Sequence, residues 1–307
     1  MAKEKPRRAL NALWEDLEGS FVVAEKGGVV GNDILKQLRI KVHPLEINPR
    51  GSVSMTIDNP PFLFEILPDS ELRKGPLPKG SVQFREYLEP SQRPEGSLDY
   101  YWRPEACARE VSQYITYFAR RTFRKLPKSR QLSSISHPDP FLLWGDLDRN
   151  YGLSWSTHVL LEAPKSDGYP IKPHITMTTV IDRVGQDGSI FYEELAPLVA
   201  AMRNRANQPE VPPEQWESLL ELLDIGELPD KRVFRNEKIF PVLMLSFLGP
   251  QHARVFYARM NGNELVIGQS KLYSFERKND ANIELFARLL LSTPISIGEW
   301  QRTSEIR

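Results

Sequence analysis

The chain has 307 residues, enough for one large core or two smaller ones, and with 40% hydrophobic and 26% charged residues it has the composition of a globular protein. Its 40 basic and 40 acidic residues cancel, so a uniformly basic surface is excluded and any basic patch must be local. The longest apolar run is about half of the roughly 20 residues that a spanning helix needs, which excludes a transmembrane helix and predicts no membrane partner. Cys107 is the only cysteine, so no intramolecular disulfide can form, and a reducing compartment is the simpler expectation.

Met1 to Arg8 is basic, and no apolar stretch follows it, so no secretory signal is expected. Residues 1–10 read as a flexible basic tail. Lys3 to Arg8 also suits a nuclear-import cluster, so the expected location is cytoplasmic with the nucleus as an alternative. A short helix is predicted over Asn11 to Glu18, with Leu13, Trp14 and Leu17 on one side. Leu35 to Ile47 and Ser52 to Ile57 read as strands, the second from its strict alternation. Pro68 to Gly96 is rich in Pro, Gly and charge and predicts a long exposed loop, within which Ser81 to Leu88 is read as an edge strand.

Pro104 to Lys125 predicts the clearest helix. Pro104 fits a first-turn position, and Glu105 favours the positive end of the helix dipole. Cys107, Val111, Tyr114, Ile115 and Phe118 share one face, and Arg109, Arg120 and Arg124 lie opposite. Pro127 to Asp139 is a predicted loop and the best candidate for a boundary. Residues 11–307 are expected to form one compact unit, divisible at most into lobes 11–130 and 140–307.

Two strands follow, Trp155 to Glu162 and His174 to Arg183, then a turn at Gly185 to Gly188 and a helix over Tyr192 to Asn204. Pro212-Pro213 opens a second amphipathic helix, Glu214 to Asp224, with an acidic side. Phe240 to Leu248 and Ala253 to Met260 are strand-like runs broken by Gly249-Pro250. Asn261-Gly262 then leads into Glu264 to Ile267, the strongest short hairpin signal in the chain. Asn282 to Ser292 is apolar almost all round and predicts a buried helix. Strands, helices, strands and helix in that order predict an α+β fold with a mixed or antiparallel sheet and flanking helices.

Pro173-His174-Ile175-Thr176 resembles half of the 2H phosphoesterase signature, a His-x-Thr/Ser pair on a strand. That family uses two such motifs, and strand side chains repeat every two residues, so the His and the hydroxyl point the same way. The resemblance implies His174 and Thr176 as catalytic, with a second motif elsewhere. His252 is the candidate, although Arg254 stands where Ser or Thr belongs, and His158 fails in the same way.

Asp146 or Asp148 followed by Glu162-Ala163-Pro164-Lys165 resembles the order of PD-(D/E)xK nucleases, which implies a Mg²⁺ site on consecutive strands. The interval is one residue too long, and Pro164 stands where the strand should continue. A decayed nuclease-like fold used for binding is a further expectation. The five histidines and Cys107 show no zinc spacing, no Gly-rich phosphate loop is present, and no metal or cofactor is expected.

Arg109, Arg120, Arg121 and Arg124 form a candidate binding surface for phosphate or carboxylate groups. Nucleic acid is one expected partner. A protein, or a second copy engaged through the acidic helix, is the other. The stretch Ile239 to Ser296 resembles the C-terminal part of an uncharacterised family of filamentous fungi, on Phe240-Pro241-Val242-Leu243, Gly249-Pro250-Gln251-His252, Leu265-Val266-Ile267, Lys271 to Phe275 and Leu285 to Arg288. That resemblance implies a fungal source and transfers no activity. The leading expectation is a binding or scaffolding protein that acts through charged helical surfaces and self-associates. The alternatives are a phosphodiesterase or nuclease-like enzyme at His174 or at Asp148 and Glu162, and a biosynthetic enzyme whose ordinary polar residues leave no signature.

Overall fold

A computed structural model of the chain describes residues 4–19, 28–48, 53–55, 61–77, 81–145, 147, 149–150, 154–219 and 230–304. Its centre is a ten-stranded mixed sheet. The apolar runs predicted near the C-terminus supply the middle of that sheet: β10 (Val242–Gly249), β11 (His252–Asn261) and β12 (Glu264–Gln269) form an antiparallel meander. Gly262 takes φ +64° in the second turn, the left-handed conformation that Asn-Gly hairpins require.

On one side, β10 pairs in parallel with β9 (Ile175–Val184), and β9 pairs antiparallel with β6 (Ser154–Glu162). The parallel step is made possible by helix α4 (Tyr192–Asn207), which lies between β9 and β10 in sequence. β4 (Ser133–Ser134) and β5 (Arg149–Asn150) pair with β6. On the other side, β1 (Ile40–Ile47) runs parallel to β12 and carries β2 (Val53–Met55). β13 (Tyr273–Ser274) pairs with the start of β11. The loop expected as a boundary therefore contributes a strand to the sheet, and the N-terminal segment supplies two more, so the sheet is shared by both expected lobes.

Side chains alternate across the sheet and build two cores. Ile175, Met177 and Ile181 of β9 and Val242, Met244 and Leu248 of β10 pack with α4 and with α1 (Lys5–Gly19). Val180, Leu243, Leu245 and Phe247 face α3 (Pro104–Phe123) and α5 (Asp280–Leu290). The result is a helix–sheet–helix sandwich, an α+β fold with a mixed sheet. Helix α4 is buried on almost every residue because α1 covers the side turned away from the sheet.

Several local expectations change. Helix α1 begins at Lys5, so much of the expected tail is helical. Pro6 and Leu10 are buried, and Arg7 donates through Nε to the Ala206 carbonyl at 2.5 Å and through Nη2 to that of Phe234 at 3.3 Å. The predicted strand over Leu35 to Ile47 divides into a short helix α2 (Asn32–Gln37) and β1, because Arg39 takes φ +56° between them. Residues 81–88 are irregular; the Tyr87 N–H donates to the Glu276 carbonyl, and the Arg85 carbonyl accepts from Gln251 Nε2 at 2.8 Å. Of the predicted acidic helix, residues 213–215 form a 3-10 turn, and residues 220–224 lie outside the described residues. The short pairs β3 (Phe64–Glu65) with β14 (Thr293–Pro294), and β7 (Lys165–Ser166) with β8 (Tyr169–Pro170), stand apart from the main sheet, and α6 (Ile297–Ser304) closes the described chain. No helix among the described residues is long and apolar enough to cross a membrane.

Candidate functional site

Helix α3 places the predicted arginines. Pro104 occupies its first turn, and Asp182 on β9 accepts the Glu105 backbone N–H at 3.2 Å, satisfying one of the open donors at the helix start. The helix can come this close only because residue 249 is glycine: a Cβ there would lie 2.4 Å from Pro104 Cβ and 2.5 Å from its Cα. The inner face is buried through Cys107, Val111, Tyr114, Ile115 and Phe118, as the periodicity predicts. Burial raises the Cys107 thiol pKa, and Glu110 adds to the shift, so this thiol stays protonated.

The four predicted arginines divide into two kinds. Arg109 is engaged within the molecule, paired with Glu105 and 3.2 Å from His158 Nε2. Arg121 donates to the carbonyls of Gly75 at 2.7 Å and Lys74 at 3.0 Å; burial, then the neighbouring Arg73 charge, lowers its pKa. Arg120 and Arg124 are exposed and make no ion pair among the described residues. Arg120 instead lies over the Tyr117 ring, 5.3 Å from its centroid. Lys125 and Lys128 extend the same surface past the helix end and are likewise exposed. The cations collect where the helix dipole is negative, which favours them there.

The histidines do not assemble. His174, immediately before β9, is 3% exposed, and its ring meets Phe64 edge-on at 5.1 Å. Burial, then the Lys172 charge, lowers its pKa to about 3, with the backbone of Ile295 and of Leu63 acting in the opposite direction. A ring held neutral in a buried site is unsuited to proton relay near neutral pH. Thr176 is buried on β9. His252 sits at the far end of the same sheet: it pairs with Leu248, which pairs with Ile181. The step from residue 174 to 181, at roughly 3.3 Å per residue, puts about 23 Å between the two histidines. His174, Thr176 and His252 are therefore not one two-histidine site, a correction to the phosphoesterase resemblance. His158 lies 3.0 Å from Ser156 Oγ and faces Arg109.

The nuclease-like order fares differently. Asp146 and Asp148 lie outside the described residues. Glu162, at the end of β6, accepts from Arg205 Nη2 at 2.7 Å, and both side chains are fully buried. Lys165 Nζ stands between two carboxylates, 3.0 Å from Glu162 Oε1 and 2.8 Å from Asp139 Oδ2. Burial alone would lower the Lys165 pKa, but the bond to Asp139 and the charge of Glu162 outweigh it and raise it. Asp139 also accepts the Phe141 N–H at 2.9 Å, Arg205 donates to Gln208 Oε1, and Trp216 lies 4.5 Å from the Lys165 ammonium.

Two carboxylates thus meet two cations in a nearly dry cluster. Among the described residues no group of three His, Cys, Asp or Glu is placed to hold a metal ion. Sequence reasoning missed Asp139 and Arg205. The Pro138-Asp139-Pro140 string was a usable signal for the first; Arg205 lies in a helix whose charge pattern gave none. A cleft of about 610 Å³ lies nearby, lined in part by Glu210, Lys231, Phe234 and Glu237, and it lacks the apolar lining of a small-molecule pocket.

A second buried pair joins α4 to the sheet. Arg254 of β11 makes a two-pronged contact with Glu194 and donates through Nη1 to the carbonyls of Gln186 at 3.1 Å and Ser189 at 2.6 Å. Glu194 also accepts from Ser246 Oγ and Phe191 N–H. Every partner is internal, so this network pins the turn at 186–190. Arg254, which replaced the expected hydroxyl of a second phosphoesterase motif, is a structural residue.

No family model, curated protein or solved structure matches the chain.

Proposed function

We propose that the chain is a binding protein that docks an anionic partner on the outer face of α3. The observation that supports this reading is the solvent-facing set Arg120, Arg124, Lys125 and Lys128, which makes no ion pair among the described residues and lies at and just past the end of a helix whose opposite face is locked into the core. Clustered exposed cations raise the local potential and attract an anionic partner. Arg109 and Arg121 are committed to internal contacts and contribute positioning more than docking. The proposed setting is intracellular, cytoplasmic or nuclear.

The test is retention on a polyanion matrix, heparin, eluted with salt. Wild type should be retained and released as salt rises, and the paired change Arg120→Glu with Arg124→Glu should pass through unretained with an unchanged circular-dichroism spectrum. Equal retention of both proteins would defeat the proposal.

A second reading has one observation in its favour. Asp139, Glu162 and Lys165 reproduce the residue types of a nuclease-like cluster within 3.0 Å. In that reading the ion pairs open to admit a divalent cation. Mg²⁺-dependent cleavage of a phosphodiester, abolished by Glu162→Gln, would support it. Inactivity in the presence of Mg²⁺ would leave the cluster a structural one.

A further inference from the structure

Seven large apolar side chains are exposed among the described residues, and four of them, Leu98, Tyr100, Tyr101 and Tyr117, lie on or beside α3. Each of the three tyrosines is faced by an arginine: Arg103 over Tyr100 at 5.8 Å, Arg85 over Tyr101 at 5.7 Å and Arg120 over Tyr117 at 5.3 Å. Tyr117 is 43% exposed on a helix whose buried face is already complete, so core packing does not account for it.

These residues form a track. Tyr117, Arg120 and Arg124 stand at helical spacing on one side. One and two turns before Tyr117 come Gln113 and Glu110, and Glu110 pairs at 2.8 Å with Arg85, the cation that faces Tyr101. From Glu110 to Arg124 the helix rises about 21 Å. The acids of the helix are neutralised: Glu105 by Arg109 and Glu110 by Arg85. Beyond it, Glu95 and Asp99 are exposed and make no ion pair among the described residues, so the positive surface ends there and strengthens toward Arg124.

We infer that the anionic partner is a single-stranded nucleic acid, with phosphates along Arg120, Arg124, Lys125 and Lys128 and a base stacked on Tyr117. This rests on the reading of α3 as a docking surface. Cations alone would suit any polyanion. The exposed Tyr117 ring among them adds a stacking face that an unpaired base can use and that a duplex, whose bases are already stacked on one another, cannot. A purely acidic chain such as polyglutamate would satisfy the arginines and leave the tyrosine face idle.

Fluorescence anisotropy with a labelled single-stranded oligonucleotide, its duplex and polyglutamate separates the possibilities. Wild type should prefer the single strand over the other two. Tyr117→Ala should weaken single-strand binding by about tenfold, the loss of one stacked base, with its salt slope unchanged, while Tyr117→Phe should bind as wild type. Arg120→Glu should instead flatten the salt slope. Equal binding to all three probes, with Tyr117→Ala unaffected, would overturn the single-strand assignment and leave the anionic surface standing. Failure to bind any of the three would remove both.

Discussion

Acid should unfold this protein partly through one histidine. The His174 pKa is about 3 in the folded chain and about 6.5 when the ring is exposed, so below pH 6.5 protons favour the unfolded state. The stabilisation from keeping this ring neutral and buried is therefore fully present above about pH 6.5 and is lost as pH falls toward 3. Each unit is worth about 1.36 kcal/mol, so the loss between pH 7 and pH 4.5 is about 2.5 kcal/mol. That is a large fraction of the roughly 5–15 kcal/mol that holds a domain together. Carboxylates titrate in part of the same window, so the informative quantity is the difference between wild type and His174→Leu in urea unfolding from pH 7 to 4.5. The variant should lose about 2.5 kcal/mol less than wild type across that range. Parallel pH profiles would refute the buried, neutral assignment and reopen a proton-relay role for His174.

Other consequences follow from the same packing. Arg254→Met strands the Glu194 carboxylate in a fully buried position, while the carbonyls of Gln186 and Ser189 keep donors from Ser189 Oγ and Gln269. The cost is thus mainly the uncompensated charge, about 3–5 kcal/mol by chemical denaturation, and the further change Glu194→Gln should recover part of it. Gly249→Ala forces α3 away from the sheet at Pro104 and should cost about 1–3 kcal/mol, seen as a lower melting temperature. Reversing charge at Arg120 and Arg124, exposed cations at the negative end of the α3 dipole, should cost about 1 kcal/mol and leave the protein folded, seen as a slightly lower melting temperature.

The parts of the fold that could be read from sequence are those fixed by local chemistry. Pro104-Glu105 and the spacing of Val111, Ile115 and Phe118 define α3 within a few residues, and Asn261-Gly262 defines the β11–β12 turn. The parallel pairing of β1 with β12 could not be read, because it joins Ile40 to Leu265 with no turn between them to mark the register. The helical start at Lys5 was hidden for a related reason: Arg7 is held by carbonyls at 206 and 234, contacts that leave no mark on the sequence around it.

The candidate sites follow the same rule. The arginines of α3 were legible as a charged face because helical periodicity is local. Which of them are spent internally was not, since Arg121 bonds to a loop near residue 75 and Arg109 faces β6. Two histidines suggested one site, but the strand register sets them at opposite ends of β9. Glu162 and Lys165 were expected together; the carboxylate set beside them among the described residues is Asp139, brought in where β4 returns along β6.

The most direct test of the α3 docking account is the salt dependence of binding to a labelled polyphosphate, compared between wild type and Arg120→Glu with Arg124→Glu. Four cations in contact predict a log–log slope of about 3, near 0.7 for each, and near zero for the doubly reversed chain. A wild-type affinity that does not change with salt, or one that the reversal leaves intact, would contradict it.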